Sequence, residues 1–198
     1  MTVKPGVKGT YAETQVTRFL ATHLDPGAER RRLSGCLDRG DIGGTHPDLC
    51  WEVKYSGGAR LALGTWFNEL ATEKRNAGAR FGVLVIKPKG VGDTRVGEWY
   101  AGMLRGDLVR LADVDPDEVA VRPAVQVVHT MPGSKLDQLP LAIEFQVSAA
   151  LQLPSLSGFP FVQVRAKGHA HIQGNWYMFT QLRVMTALLQ NAGYDRRG

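Results

Sequence analysis

Asp48-Leu49-Cys50-Trp51-Glu52-Val53-Lys54-Tyr55 is the stretch on which the reading of this chain turns. Trp51, Val53 and Tyr55 share one parity, and Cys50, Glu52 and Lys54 the other. Successive side chains of a strand point to opposite faces, so the alternation predicts a strand over 48–55. One face is apolar. On the other, a carboxylate and an ammonium stand side by side. Where a phosphodiester is hydrolysed, such a carboxylate can hold Mg²⁺ and such a lysine can orient or polarise the attacking water. Glu-x-Lys is equally an ordinary same-face ion pair, so the pair needs company before it points to chemistry.

Two acidic residues upstream supply candidates. Asp41 lies in Arg39-Gly40-Asp41-Ile42-Gly43, inside the turn-rich stretch 35–47. If this segment pairs with the 48–55 strand, the Asp41 and Glu52 carboxylates approach each other. They then repel, and a divalent cation relieves the repulsion. The plainer alternative is a turn aspartate beside glycine. Asp38 and Asp48 compete with it, but Asp48, directly after Pro47, sits too near the start of the Glu52 strand to face a cation from the other side. Further back, Val16, Phe19, Leu20 and Leu24 recur at helical spacing and predict a helix over 9–24, ended by Asp25-Pro26-Gly27. Thr10 followed by Glu13 has the spacing of a capping box at its start. Glu13 also borders the buried stripe, where a charge is costly without a partner. A metal or Lys54 would satisfy it, and the capping role is the rival.

Downstream, 65–78 reads as a helix with Trp66, Leu70 and Ala77 on one stripe and Gly78 as its C-terminal cap. Residues 80–86 read as a buried strand. Helix, strand, helix, strand in that order predicts an α/β sandwich with a central mixed sheet flanked by helices. Beyond it, strands are expected at 98–103, 124–129 and 160–166, the start of a helix at 104–112, and a long terminal helix over 176–192 closed by Gly193. The chain divides into a core, 1–110, and a C-terminal α+β extension, 111–198, that packs on it.

Composition narrows the classes. The net charge is +5, and all of it falls in 1–110, where 17 Lys and Arg face 12 Asp and Glu; residues 111–198 balance at 7 against 7. A polyanion held by the first part would explain that asymmetry. Lys8, Arg30, Arg31, Arg32, Arg39, Arg60, Lys74 and Arg75 are the candidate phosphate contacts, against a solvated charged face as the alternative. Trp66, Trp99 and Trp176 are each flanked by apolar residues and read as core rather than as stacking platforms. Cys36 and Cys50 cannot make a disulfide framework or a zinc site, and His169-Ala170-His171 lacks a third ligand. No apolar run reaches the length of a membrane span, and the first residues lack a signal-peptide stretch, so the protein is expected inside the cell. Neither G-x-G-x-x-G nor G-x-x-x-x-G-K-[ST] is present, which disfavours a nucleotide-binding α/β protein.

Taken together, Glu13 on the first helix, Asp41 in a glycine-rich segment, Glu52-Val53-Lys54 on the next strand, then an amphipathic helix and an apolar strand, make an ordered set. In this the chain resembles the PD-(D/E)xK nuclease superfamily, and within it the Holliday junction resolvases of archaea and phages. The resemblance covers about residues 8–90 and departs from the pattern in having Gly40-Asp41 where the superfamily is named for Pro-Asp. It implies a restriction-endonuclease-like core with Glu13, Asp41, Glu52 and Lys54 as catalytic residues. Asp41, Glu52 and Glu13 would be the ligands of Mg²⁺, for which Mn²⁺ substitutes. It further implies a homodimer acting on branched DNA, 5′-phosphate and 3′-hydroxyl products, and a cytoplasmic setting in a bacterial or phage-infected cell. Other nucleases of the superfamily, or a DNA-binding protein that kept the fold without catalysis, would share the fold, because substrate choice lies outside the motif.

Overall fold

Strand β3 forms over Leu49–Tyr55 as its alternation predicts, and the rest of the fold is arranged about it. The computed structural model describes residues 5–31, 37–55, 63–88, 90–111, 128–129, 162–165 and 176–195, with the backbone alone described at 5–8, 128–129, 162–165 and 176. Ahead of β3 come helix α1 (Pro5–His23) and two short strands, β1 (Glu29–Arg30) and β2 (Ile42–Gly43). After it come helix α2 (Leu63–Ala77), β4 (Phe81–Lys87), a 3₁₀ turn at Asp93–Glu98, β5 (Tyr100–Leu104) and helix α3 (Arg105–Leu111). The remaining described elements are β6 (Val128–His129), β7 (Val162–Arg165), β8 (Trp176–Gln181) and helix α4 (Leu182–Asn191). The strands form one mixed eight-stranded sheet in the order β1-β2-β3-β4-β5-β8-β7-β6. β3 and β4 are parallel and joined through α2, whereas β1, β2 and β3 form an antiparallel meander. This is an α/β fold with a mixed sheet flanked by helices.

The two faces of β3 bury different partners. Trp51 and Val53 join a core with Ala12, Val16 and Leu20 of α1, with Leu24 just beyond its end, and with Leu182, Met185, Leu188 and Leu189 of α4. Cys50, on the opposite face, joins Leu63, Phe67 and Leu70 of α2. β4 lies inside the sheet and is buried from Phe81 to Ile86, which is why its sequence is an unbroken apolar run. Burial of each such large side chain contributes roughly 1.5–3 kcal/mol, so the two helical layers hold the sheet from both sides.

Three expectations are corrected. Helix α1 begins at Pro5, so Thr10 lies within the helix and its carbonyl accepts the Thr14 hydroxyl at 2.8 Å. The Thr10–Glu13 capping box is therefore not formed, and Glu13 is left for another partner. In α2 the buried stripe is Leu63, Phe67, Leu70 and Glu73, with Trp66 and Ala77 only half-buried at its margins. The third correction concerns 176–192, which is not one helix. Trp176–Gln181 is strand β8, paired antiparallel with β5 and β7, and only Leu182–Asn191 is helical. Tyr177 and Phe179 face α2, where Phe67 stacks on Tyr177 at 3.8 Å between centroids, while Met178 faces the other core. A strand buried on both faces has no polar alternation to mark it, and its run into an amphipathic helix reads as helical throughout.

The described parts of 111–198 complete the sheet and core begun by the first half. β8 pairs with β5 from Tyr100↔Gln181 to Leu104↔Tyr177, and Gln190 of α4 donates to the His23 carbonyl of α1 at 2.8 Å. The strands expected at 98–103 and 160–166 are β5 and β7; of 124–129, only 128–129 lie among the described residues. Cys36, His169 and His171 lie outside them. Among the described residues no helix is long and apolar enough to cross a membrane.

Helices α2 and α3 are tied by charge. Lys74 Nζ reaches Asp107 Oδ2 at 2.8 Å, and Arg110 binds the other oxygen of the same carboxylate. Asp107 is buried and both cations are better exposed. Asp107→Ala should lower the unfolding free energy in urea by about 2 kcal/mol, since it strands a half-buried ammonium. Lys74→Ala should cost less, because Arg110 still satisfies Asp107.

Candidate active site

The β2–β3 register decides where Asp41 stands. Ile42 is paired with Trp51, so one step along the antiparallel ladder sets Asp41 across from Glu52. The Asp41 amide donates to the Trp51 carbonyl at 2.8 Å, and the Arg31 amide donates to the Asp41 carbonyl at 2.8 Å. The Asp41 side chain then does what a further residue of β2 would do: its Oδ2 accepts the Val53 amide at 2.7 Å. The carboxylate is thereby fixed at the sheet edge where the ladder stops. Gly40 makes this possible. Its φ is +85°, and a Cβ there would lie 2.7 Å from the Trp51 carbonyl oxygen and 2.9 Å from Cys50 Sγ. No other residue turns the chain onto β3 so closely.

Glu52 and Lys54 share the face covered by α2. Glu52 is 5% exposed, and its carboxylate is bound by the Lys54 ammonium. Lys54 also reaches Glu69 at 2.8 Å. Residues two apart on a strand and four apart on a helix are separated by nearly the same length, roughly 6 Å. Helix α2 therefore matches β3 in pitch, with Glu69 on Lys54 and the buried Glu73 one turn further along the helix. Glu13 approaches from α1, partly buried, with Oε2 3.2 Å from Arg30 Nη1. Its charge is felt at Asp41.

The electrostatic result is a crowd of carboxylates short of cations. Among the described residues, Lys54 and Arg30 are the cations paired with the five acids Glu13, Asp41, Glu52, Glu69 and Glu73. Burial, and then the Glu52 charge opposite, push the Asp41 carboxyl up to about 8. Burial pushes Glu52 up to about 7 against the opposing pull of Lys54. Glu73 likewise rises to about 7, chiefly through burial. For Lys54 burial acts downward, but Glu52 and Glu69 outweigh it and hold the ammonium protonated. Burial also pushes the Cys50 thiol up to about 12, so it is an inert core thiol. Among the described residues no three carboxylate, imidazole or thiolate side chains converge at metal-ligand spacing. Lys54 instead compensates the acids, bound by Glu52 and Glu69 together.

The structure brings Glu13, Asp41, Glu52 and Lys54 into one electrostatically coupled group. Asp48 is elsewhere, at the start of β3, 3.8 Å from Arg80. Glu69 and Glu73 escaped the sequence reading. The available signal was position: Glu73 follows Leu63, Phe67 and Leu70 on the buried stripe of α2, where an acid has no business without a partner. Of the candidate phosphate contacts, Arg39 and Arg75 are exposed. Arg30 is paired with Glu13, and Arg31 donates to the Arg39 carbonyl. Lys74 is committed to Asp107. Arg32, Arg60 and the Lys8 side chain lie outside the described residues. Trp99 is fully buried, so it is core and not a stacking platform.

Two predictions follow from the geometry at Asp41. Gly40→Ala should cost more than about 2 kcal/mol in urea unfolding, from left-handed strain plus the clash with Trp51. Gly78→Ala, also at positive φ but facing open space, should cost only about 1–2 kcal/mol. The raised carboxyl groups set a pH dependence. Their folded pKa values lie above the ordinary carboxylate range, so the folded state binds more protons than the unfolded state between about pH 4 and 8. Their contribution is complete below that window and lost through it, so the Tm of metal-free protein should fall from pH 5 to 8. Asp41→Asn should flatten that fall, and a Tm that rises over the window instead would contradict the assignment. Comparison with protein-family models, curated proteins and solved structures finds no match to this chain.

Proposed function

We propose that this chain is a metal-dependent endonuclease of DNA with a restriction-endonuclease-like core, of the PD-(D/E)xK type. The observation that carries the reading is the partly buried Asp41 carboxylate set across the ladder from Glu52, with Lys54 two residues on and charged. The order helix, three-strand meander, crossover helix, parallel strand supports it, with Asp41 across from Glu52, Lys54 paired with Glu52, and Glu13 on α1 paired with Arg30.

The donor chemistry is that of a hard divalent cation, oxygen ligands only, although among the described residues no three of these groups stand at metal-ligand spacing before a cation is bound. Asp41 and Glu52, with Glu13 behind them, would hold Mg²⁺ or Mn²⁺, which would supply Lewis-acid polarisation of the scissile phosphate. The chain's own residues do the rest. The Asp41–Val53 hydrogen bond fixes one carboxylate before any ligand arrives, so little reorganisation is needed. Lys54 keeps its proton and donates hydrogen bonds to the attacking water or to a non-bridging phosphate oxygen, stabilising charge that builds at phosphorus. For Lys54 to do so it must exchange its contact with Glu52 or Glu69 for one with substrate. Arg39 and Arg75 are exposed cations available to the DNA backbone, whose contacts add affinity without sequence preference. A homodimer cutting a branched, two-fold symmetric substrate, as the resolvases do, is the specific form of this proposal.

The test is cleavage of labelled four-way junction, linear duplex and single strand with Mg²⁺ or with EDTA. The wild type should cut only with the metal, with paired nicks on the junction. Glu52→Gln and Lys54→Ala should each reduce the rate by about 10²–10⁴-fold. DNA binding without cutting in Mg²⁺ or Mn²⁺ would replace the nuclease with a non-catalytic DNA-binding protein.

A further inference from the structure

Helix α1, the 3₁₀ turn at Asp93–Glu98 and helix α4 enclose a groove of about 490 Å³ on the face of the sheet opposite α2. Small-ligand sites span roughly 300–1,000 Å³. Phe19 and His23 line the groove as a ring pair, 4.4 Å between centroids. Gly97 lets the turn close against α1 and α4. A Cβ there would lie 3.0 Å from the Phe19 ring and 3.4 Å from the first side-chain carbon of Arg183. At the other end Gln190 donates to the His23 carbonyl at 2.8 Å, which ties α4 to α1.

The charges in the groove do not cancel. Arg95 is held by Glu98 at 3.2 Å, so those two offset each other. Arg183, in the first turn of α4, lines the groove, is exposed, and has no carboxylate partner among the described residues. Lys54, Lys74, Lys87 and Arg110 each have one. A guanidinium free of carboxylates beside a concave surface is matched to an anion, and its planar fork pairs two oxygens of a phosphate at once.

We propose that this groove is a binding site for a phosphate group, seated on Arg183 and opposed by Glu98, which occupies Arg95. A nucleic-acid backbone and free phosphate present the same chemistry to it. The site is separate from the candidate active site. His23 is ten residues beyond Glu13 on α1, about 15 Å along the helix axis, and the groove uses none of Asp41, Glu52 or Lys54. The proposal therefore stands whether or not the chain cuts DNA.

Binding of inorganic phosphate, and of a short oligothymidine strand, is measured by calorimetry at low salt with EDTA present, so that no metal contributes. Arg183→Gln should weaken binding by about 10-fold, the loss of a hydrogen bond to a charged group. Glu98→Gln should do the opposite and tighten it, because it removes the acid that lines the groove and releases Arg95. A gain of this kind cannot come from misfolding. Arg80→Gln removes an exposed cation outside the groove and should change affinity by less than about 2-fold. Loss in Arg183→Gln with inorganic phosphate, with or without the strand, assigns the groove to free phosphate. Loss with the strand alone, together with a salt slope shallower by about one, assigns it to the nucleic-acid backbone. The proposal is overturned if the wild type binds neither, if Arg183→Gln binds no more weakly than Arg80→Gln, or if Glu98→Gln brings no gain.

Discussion

One hydrogen bond, from the Val53 amide to the Asp41 carboxylate, joins the scaffold to the chemistry. A two-residue strand such as β2 has almost no ladder of its own, and the side chain of Asp41 supplies the bond that the next backbone carbonyl would have made. That substitution fixes the register, and the register sets Asp41 opposite Glu52. Slipping the pairing by one residue would turn Asp41 to the other face, bury it against Trp51 and Val53, and dissolve the acidic group. The left-handed Gly40 belongs to the same constraint, since the chain must turn within contact distance of the Trp51 carbonyl to begin the pairing.

The price of this arrangement is concentrated in charge. Facing acids in a partly buried place repel, and the fold tolerates them by retaining protons and by clasping Lys54 between Glu52 and Glu69. The apolar layers on the two sides of the sheet carry the compensating stability. They are continuous from α1 through β3, β4 and β5 to β8 and α4.

Much of the site was legible from local patterns. The parity of Cys50, Glu52 and Lys54 placed the Glu-x-Lys pair on one face without any tertiary information. The position of Asp41 depended on a pairing that sequence could pose only as a condition, and the register resolves it. Glu73 was missed because helical periodicity was anchored on Trp66 and Ala77, which turned the stripe away from Phe67 and Glu73. The Thr10 cap failed because the helix begins a turn earlier, at Pro5, where proline's fixed φ suits a first turn. β8 was merged into α4 because a strand covered on both faces shows no alternation.

The pairing of β5 with β8 joins residues some 80 positions apart, as between Tyr100 and Gln181. The first 111 residues on their own would therefore end in a sheet with an open margin at β5, where Ala101 and Met103 are wholly buried in the complete fold. An unpaired apolar edge of this kind recruits other strands. A growing chain would carry that edge until β8, at Trp176–Gln181, arrives to pair with it.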